Sequence, residues 1–255
     1  MDRLTIIKVG GKVVETPDLL HAFLDQFKKI SGNKILVHGG GSTATEIAGK
    51  LGIETRMVDG RRITDRAMLE VVTMVYGGLI NKKIVAGLQA RGCNAIGLTG
   101  ADLDLIKAHK RPVKEIDYGF VGDVEDVNSR EIRLLINESV VPVVAPLTHD
   151  GYGQILNTNA DTIATEMAIE MSDYYSVYLF YCFEKKGVLL NPDDETTVVY
   201  DLDHELYEKY KNEGIIVEGM IPKLDNAFNA KRNGVKEILI TNPENIATGR
   251  GTRLV

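Results

Sequence analysis

Within its first fifty residues the chain repeats one local pattern, and that repeat limits the fold more than any other feature. Residues 4–9, L-T-I-I-K-V, form an apolar strand-like run that ends in the turn Gly10-Gly11. Thr16-Pro17 then supplies an N-cap and a first-turn proline for a helix whose Leu20, Phe23, Leu24 and Phe27 share one face. Ile35-Leu36-Val37 is a second short strand and Gly39-Gly40-Gly41 a second turn, after which Thr43 and Glu46 have capping-box spacing for a helix ending near Gly52. Strand, glycine turn and helix in tandem call for parallel strands in one sheet with helices on its faces.

The alternation continues. A helical pattern runs from about Thr64 to Ala90, with Gly77-Gly78 as a close-packing point or bend, and a strand follows over Ala95–Thr99. Residues 105–128, rich in Lys, Asp and Gly, read as hairpins at the sheet edge, including the β-like piece Tyr118–Val121. A core strand at 140–145 precedes a helix that starts at Thr158 or Asn159 and ends at Met171. From Tyr174 the texture changes: six aromatic residues fall between Tyr174 and Phe183, in what reads as a central strand. Core packing explains them, because Tyr and Phe are good strand formers; stacking on a base is the alternative. Helices near 202–212 and up to Arg232, and a strand at Glu237–Ile240, complete the pattern.

Composition removes several classes of function. At 255 residues and 44% hydrophobic content the chain can bury a substantial core. A net charge of −6 argues against a broad cationic face for nucleic acid, though not against a small basic pocket. Cys93 and Cys182 are far apart and have no metal-ligand spacing, which fits a reducing cytoplasm. The N-terminus has no signal-like segment, and no uninterrupted apolar stretch approaches the ~20 residues of a bilayer span.

Two lysines stand out. Lys8 sits near the end of an apolar strand, and Lys223 lies in the opening turn of a helix, where the macrodipole disfavours a cation by about 0.3–1 kcal/mol unless an anion joins it. With the glycine turns at Gly10-Gly11 and Gly39-Gly40-Gly41, whose N–H groups can approach an anion closely, the chain reads as a phosphate-handling enzyme. A dinucleotide fingerprint is a rival reading: Gly39, Gly41 and Ala44 match G-x-G-x-x-A, and Asp59 follows about 20 residues on. A Walker A loop fails, because Gly49-Lys50 is followed by Leu51. Each residue also has a plain structural reading: Asp161 suits any first helical turn, Asn157 and Asn159 suit caps, and His38 reads as a strand-end residue.

The order of motifs is specific. K-V-G-G at 8–11, H-G-G-G at 38–41, D-G-R-R-I-T-D at 59–65, L-N-T-N-A-D at 156–161, G-M-I-P-K at 219–223 and a terminal G-T-R resemble the amino acid kinase superfamily over essentially the whole chain, and within it the N-acetylglutamate kinases most. The resemblance implies a three-layer αβα sandwich around a central, mainly parallel sheet. Residues 1–172 would form an acyl-amino-acid-binding and dimerising lobe, and residues 173–255 an ATP-binding lobe. It implies ATP-dependent phosphorylation of the γ-carboxylate of N-acetyl-L-glutamate, in arginine biosynthesis, with Mg²⁺ carried on the ATP phosphates and no protein metal ligands. Lys8 and Lys223 would contact the transferring phosphoryl group, with Asp161 orienting both. Gly10 and Gly11 would offer N–H groups to the nucleotide phosphates. Gly40, Gly41, Arg62, Asn157 and Asn159 would hold the substrate. The attacking carboxylate is already anionic, so no general base is required.

The chain departs from the family pattern in three places. Arg61 stands where a leucine usually precedes the substrate arginine, Phe183-Glu184 replaces Ser/Thr-Asp ahead of Gly187, and the segment before G-T-R is short. Glu184 and Gly187 are the corresponding candidates in the nucleotide lobe. A guanidinium at Arg61 could meet a second carboxylate, as on an N-succinyl group, unless it points away as strand neighbours do. Aminoadipate, glutamate or carbamate are other acceptors within the superfamily, and a silent amino-acid or nucleotide sensor is the non-enzymatic alternative. No helical extension precedes the first strand, which in this family goes with a cytoplasmic homodimer lacking strong arginine feedback.

Overall fold

The computed structural model describes residues 1–58, 60–217 and 219–255. Its N-terminal half runs β1 (Arg3–Val9), α1 (Gly11–Glu15), α2 (Pro17–Lys29), β2 (Asn33–His38), α3 (Gly41–Lys50), β3 (Met57–Val58), β4 (Arg61–Arg62), α4 (Arg66–Val72), α5 (Asn81–Gln89), β5 (Ala95–Leu98), β6 (Ile106–Lys110) and β7 (Gly122–Val127). It continues through α6 (Ser129–Asn137), β8 (Val141–Val144), β9 (Leu147–His149), β10 (Ile155–Asn157), α7 (Ala160–Met171), β11 (Ser176–Cys182), β12 (Asp201–Leu202), α8 (His204–Asn212), α9 (Ile221–Arg232), β13 (Glu237–Thr241) and β14 (Thr252–Leu254).

Eight strands form the central sheet in the order β12-β14-β13-β11-β1-β2-β8-β5, with β14 antiparallel to β13 and the other pairs parallel. Alternation along the strands divides the core into two layers. Leu4, Ile6, Val37 and Tyr181 face one side with Ile163 and Met167 of α7 and Leu224 and Phe228 of α9. Ile7, Val9, Leu36 and Phe180 face the other with Phe23 and Phe27 of α2 and Ile84 of α5. This is the expected three-layer αβα sandwich. The aromatic strand β11 lies at its centre, pairing with β1 across the expected 172/173 lobe boundary, and Phe180 and Tyr181 are core residues.

Three local expectations need correction. The helix expected over 64–90 is capped by the Asp65 side chain, which accepts from Met68 N at 2.8 Å, but widens into a π-helical stretch over Thr73–Ile80. There a Cβ on Gly77 would make only ordinary contact, 3.4 Å from Leu147, and one on Gly78 would meet nothing within 4 Å, so the glycine pair marks the wider π-helical turns and not a close-packing point. The run 66–89 has the length and hydropathy of a membrane span, yet Val72, Val75, Ile80, Ile84 and Leu88 are buried in the core. Next, β6 and β7 do not edge the central sheet: with β9 and β10 they make a separate sheet in the order β10-β9-β6-β7. Finally, the Thr43/Glu46 capping box does not form. Gly40, at φ +152°, starts α3 early, Thr43 N donates to Glu15 Oε1 at 2.8 Å, and Glu46 pairs with Lys50.

Candidate functional site

The site opens at the carboxyl ends of the central strands, where β1 is flanked by β2 on one side and β11 on the other. Consecutive connections leave in opposite directions there, which puts a crevice between them. Lys8 is on the same face of β1 as Leu4 and Ile6, the face that α7 covers. That register brings its ammonium to 2.8 Å from Asp161 Oδ1, in the first turn of α7, with both side chains largely buried. Among the described residues Oδ1 accepts no well-directed hydrogen bond, so the contact is an ion pair.

Lys223 occupies the first turn of α9, as the sequence reading expects, and Asp161 and Lys223 border one cleft of about 680 Å³. Asp161 does not orient both lysines here. Lys223 Nζ instead donates to the Gly219 carbonyl at 3.1 Å. Phe183 links the two: the ammonium groups of Lys8 and Lys223 each lie 5.2 Å from its ring centroid. In the sequence Phe183 stands out only as a departure from the family pattern. Its place became visible once β11 paired with β1, because a cation–π contact has no sequence spacing.

The two glycine turns touch. A Cβ on Gly11 would stand 3.3 Å from Gly40 N and 3.5 Å from Gly41 N, and one on Gly40 would meet Ile80 Cδ1 at 2.1 Å. No described hydrogen bond uses the N–H groups of Gly11, Gly40 or Gly41. Together these N–H groups form an anion cradle, into which a methyl on Gly11 would project. Gly10 is a correction: its N–H is taken by the Cys182 carbonyl at 2.9 Å, so it ties β1 to β11 and has no donor left for a phosphate.

Beside the cradle is a cavity of about 200 Å³ whose walls include Gly40, Gly41, Arg62, Asn157 and Asn159. Arg62 is buried, and its described partners are all neutral: Gly41 O and Thr45 Oγ1 at 2.8 Å, Thr55 Oγ1 at 3.4 Å and Met68 Sδ at 3.8 Å. A buried guanidinium with only neutral acceptors is costly until an anion joins it. Asn157 Nδ2 donates to Thr64 Oγ1 at 3.0 Å, which fixes its amide. Asn159 Oδ1 caps α7 by accepting from Asp161 N at 2.7 Å. Burial pushes the Tyr76 phenol in this wall upward, opposed in part by Arg62, so it stays neutral.

The remaining candidates lie around this centre. Glu184 pairs with Lys12 at 3.5 Å on the surface. Gly187 is pressed against β14, where a Cβ would be 2.6 Å from Thr252 Oγ1, so packing alone demands glycine there. His38 is buried and its imidazole is held neutral by burial, with the Lys8 charge adding to the effect, at a pKa of about 4. Arg111 and Tyr76, which no motif marks, also line the Arg62 cavity. Asp59, the acid of the dinucleotide reading, lies outside the described residues.

Comparison with known proteins gives the family and the fold. The sequence profile of the Amino acid kinase family matches residues 3–242. An acetylglutamate kinase of Bacteroides fragilis is 58% identical over 99% of this chain and 97% of its own, and one of Methanopyrus kandleri is 40% identical over 98% and 99%. Among solved structures, an N-acetylglutamate synthase from Neisseria gonorrhoeae, complexed with coenzyme A and N-acetyl-glutamate, superposes with a TM-score of 0.83 at 16% identity, over 99% of this chain and 59% of that one. The carbamate kinase from Giardia lamblia bound to AMP-PNP gives 0.73 at 13% identity, over 100% and 98%, a likeness of fold alone. With its profile matched almost end to end and its relatives aligned over their full length, the chain belongs to the amino acid kinase family.

Proposed function

We propose that this protein is an ATP:N-acyl-L-glutamate 5-phosphotransferase that phosphorylates the γ-carboxylate of N-acetyl-L-glutamate, the activity its relatives are named for, in arginine biosynthesis. The observation that carries the reading is the meeting of two lysines, Lys8 and Lys223, with a glycine cradle whose donors are unused. On one side of the cradle, Arg62 and Asn157 take the α-carboxylate and acyl amide of the acceptor. On the other, the cleft of Asp161 and Lys223 takes the nucleotide phosphates.

The acceptor carboxylate attacks the γ-phosphorus, the bond to the β–γ bridging oxygen breaks, and ADP leaves without any proton transfer. Charge spreads over the phosphoryl oxygens in the transition state, so the work of the protein is positioning and neutralisation. Gly11, Gly40 and Gly41 supply N–H donors, Lys8 and Lys223 supply charge, and Asp161 holds Lys8. No described group of three or more His, Cys, Asp or Glu is arranged for a metal; in this reading Mg²⁺ travels on the ATP phosphates. Residues 1–172 then carry acceptor binding and residues 173–255 nucleotide binding. A homodimer is part of the proposal, supported by Met74 and Leu79, exposed apolar residues on the 66–89 helix. So is a cytoplasmic setting, supported by the free, buried Cys93 and Cys182.

Coupled ADP release with MgATP and N-acetyl-L-glutamate, with the acyl phosphate trapped as a hydroxamate, tests the reading. Turnover only with aminoadipate, glutamate or carbamate would move the chain elsewhere in its family. Nucleotide binding without turnover on any acceptor would make it a sensor.

A further inference from the structure

A second cavity, of about 630 Å³, adjoins the Arg62 cavity, and Arg61 and Arg111 line both. The hairpin of β3 and β4 explains the sharing. Successive residues face opposite ways: Arg62 is buried against α3, and Arg61, paired in register with Val58, is exposed on the other face. Among the described residues Arg61 has no ion pair. Arg111 gives Nε and Nη2 to Asp123, while its Nη1 is buried with no hydrogen-bond partner among the described residues. Burial raises the Asp123 carboxyl, but Arg111, His109 and Arg61 outweigh it and hold the carboxyl below the usual range. Asp123 is therefore ionised and already committed to Arg111. Counting the charged side chains of this wall, Arg61, Arg111 and Lys114 face Glu115 and Asp123, an excess of one positive charge. Pro112, Ile116 and Tyr118 provide apolar wall between them.

We propose that this second cavity receives the acyl group of the acceptor, and that the preferred acceptor is an N-acyl-L-glutamate whose acyl chain ends in a carboxylate, held by Arg61 with Arg111 behind it. The proposal rests on the phosphotransferase reading and refines its substrate. An acetyl methyl offers neither guanidinium an anion, whereas a short methylene chain would cross the apolar wall and bring a carboxylate to Arg61. Charge-assisted, planar pairing is the chemistry for which arginine differs from the other cation, lysine. Arg61 also borders the cleft of Asp161 and Lys223, so its rival role is to neutralise the transferring phosphoryl group.

Steady-state ADP release separates the two roles when three acceptors are compared: N-acetyl-, N-butyryl- and N-succinyl-L-glutamate. Butyryl matches succinyl in chain length but lacks the charge. The wild-type protein should favour succinyl over butyryl by about tenfold or more in kcat/KM, the scale of one charge-assisted hydrogen bond. Arg61→Leu should lower the succinyl value at least about tenfold more than the acetyl value, with Arg61→Lys recovering part of it. Equal losses on all three acceptors would assign Arg61 to the phosphoryl group and overturn the proposal. Turnover of the acetyl and butyryl compounds without the succinyl one would overturn it while leaving the kinase reading intact. No turnover of any N-acyl-glutamate by the wild-type protein would overturn both. The wild-type comparison needs no variant, so the test stands even if a substitution at Arg61 disturbs the hairpin.

Discussion

Asp161 holds Lys8 at 2.8 Å inside the protein, and each is the described charge partner of the other. Removing one partner of a buried pair strands the other, a loss of about 3–5 kcal/mol. Lys8→Met should therefore destabilise the protein by this order and lower kcat by at least ~10²-fold. The double variant Lys8→Met/Asp161→Asn should regain most of the stability and none of the turnover. Its kcat should fall far less than the product of the single losses, because the pair acts as a unit. Urea melts and kcat on the four proteins check this; multiplicative losses in kcat would reduce Asp161 to a helix-start residue.

For Lys223 the two readouts should part. Its charge faces the positive end of α9, an arrangement that costs about 0.3–1 kcal/mol without an anion. Lys223→Gln should leave the nucleotide-free protein as stable as wild type or slightly more so, yet cut kcat by ~10²-fold or more. A variant with normal turnover would remove Lys223 from phosphoryl transfer.

Gly11→Ala probes the cradle with little risk to the fold. Gly11 has no left-handed backbone, and its added methyl would need only small adjustments, 3.3 Å from Gly40 N. Stability should shift by less than about 1 kcal/mol, while kcat/KM for ATP drops roughly tenfold to a hundredfold as the methyl takes the anion's place. Unchanged kinetics would show that the phosphates bind elsewhere.

His38 gives the protein an acid limit. Asn81 Nδ2 donates to its Nε2 at 3.2 Å, and Nδ1–H donates to Gly39 O at 2.8 Å, an arrangement that needs the neutral ring. Its folded pKa of about 4 is below the ordinary 6.5, so between those values the unfolded chain binds more protons than the folded one. Stability then rises with pH: it is complete above about 6.5 and is lost as pH falls toward 4. The expected loss between pH 7 and pH 5 is about 2 kcal/mol, readable in urea melts. His38→Gln should flatten that dependence, and an equal slope in the variant would assign it to other groups.

Much of the fold was legible in local signals. Apolar runs ending in glycine turns marked β1 and β2, periodic apolar faces marked α2 and the 66–89 helix, and Asn159 marked the start of α7. The capping box failed because Thr43 and Glu46 are read from spacing alone, whereas Glu15 reaches Thr43 N from another helix. The hairpins at 106–127 were recognisable as strands but not as a separate sheet, because strand pairing is a choice among distant partners.

The candidate site divides in the same way. Lys8, Lys223 and the glycine turns were candidates from residue chemistry, since a cation in an apolar strand or at a helix start is a local anomaly, whereas Asp161 and Arg62 became candidates only through the motif order of the family resemblance. Only the tertiary structure decided that Asp161 holds one lysine and not two, that Gly10 has no free donor, that Phe183 lies between the ammonium groups, and that Arg61 and Arg111 share two cavities. Those facts depend on strand register and helix packing, which bring together side chains up to about two hundred positions apart, and no local propensity carries that information.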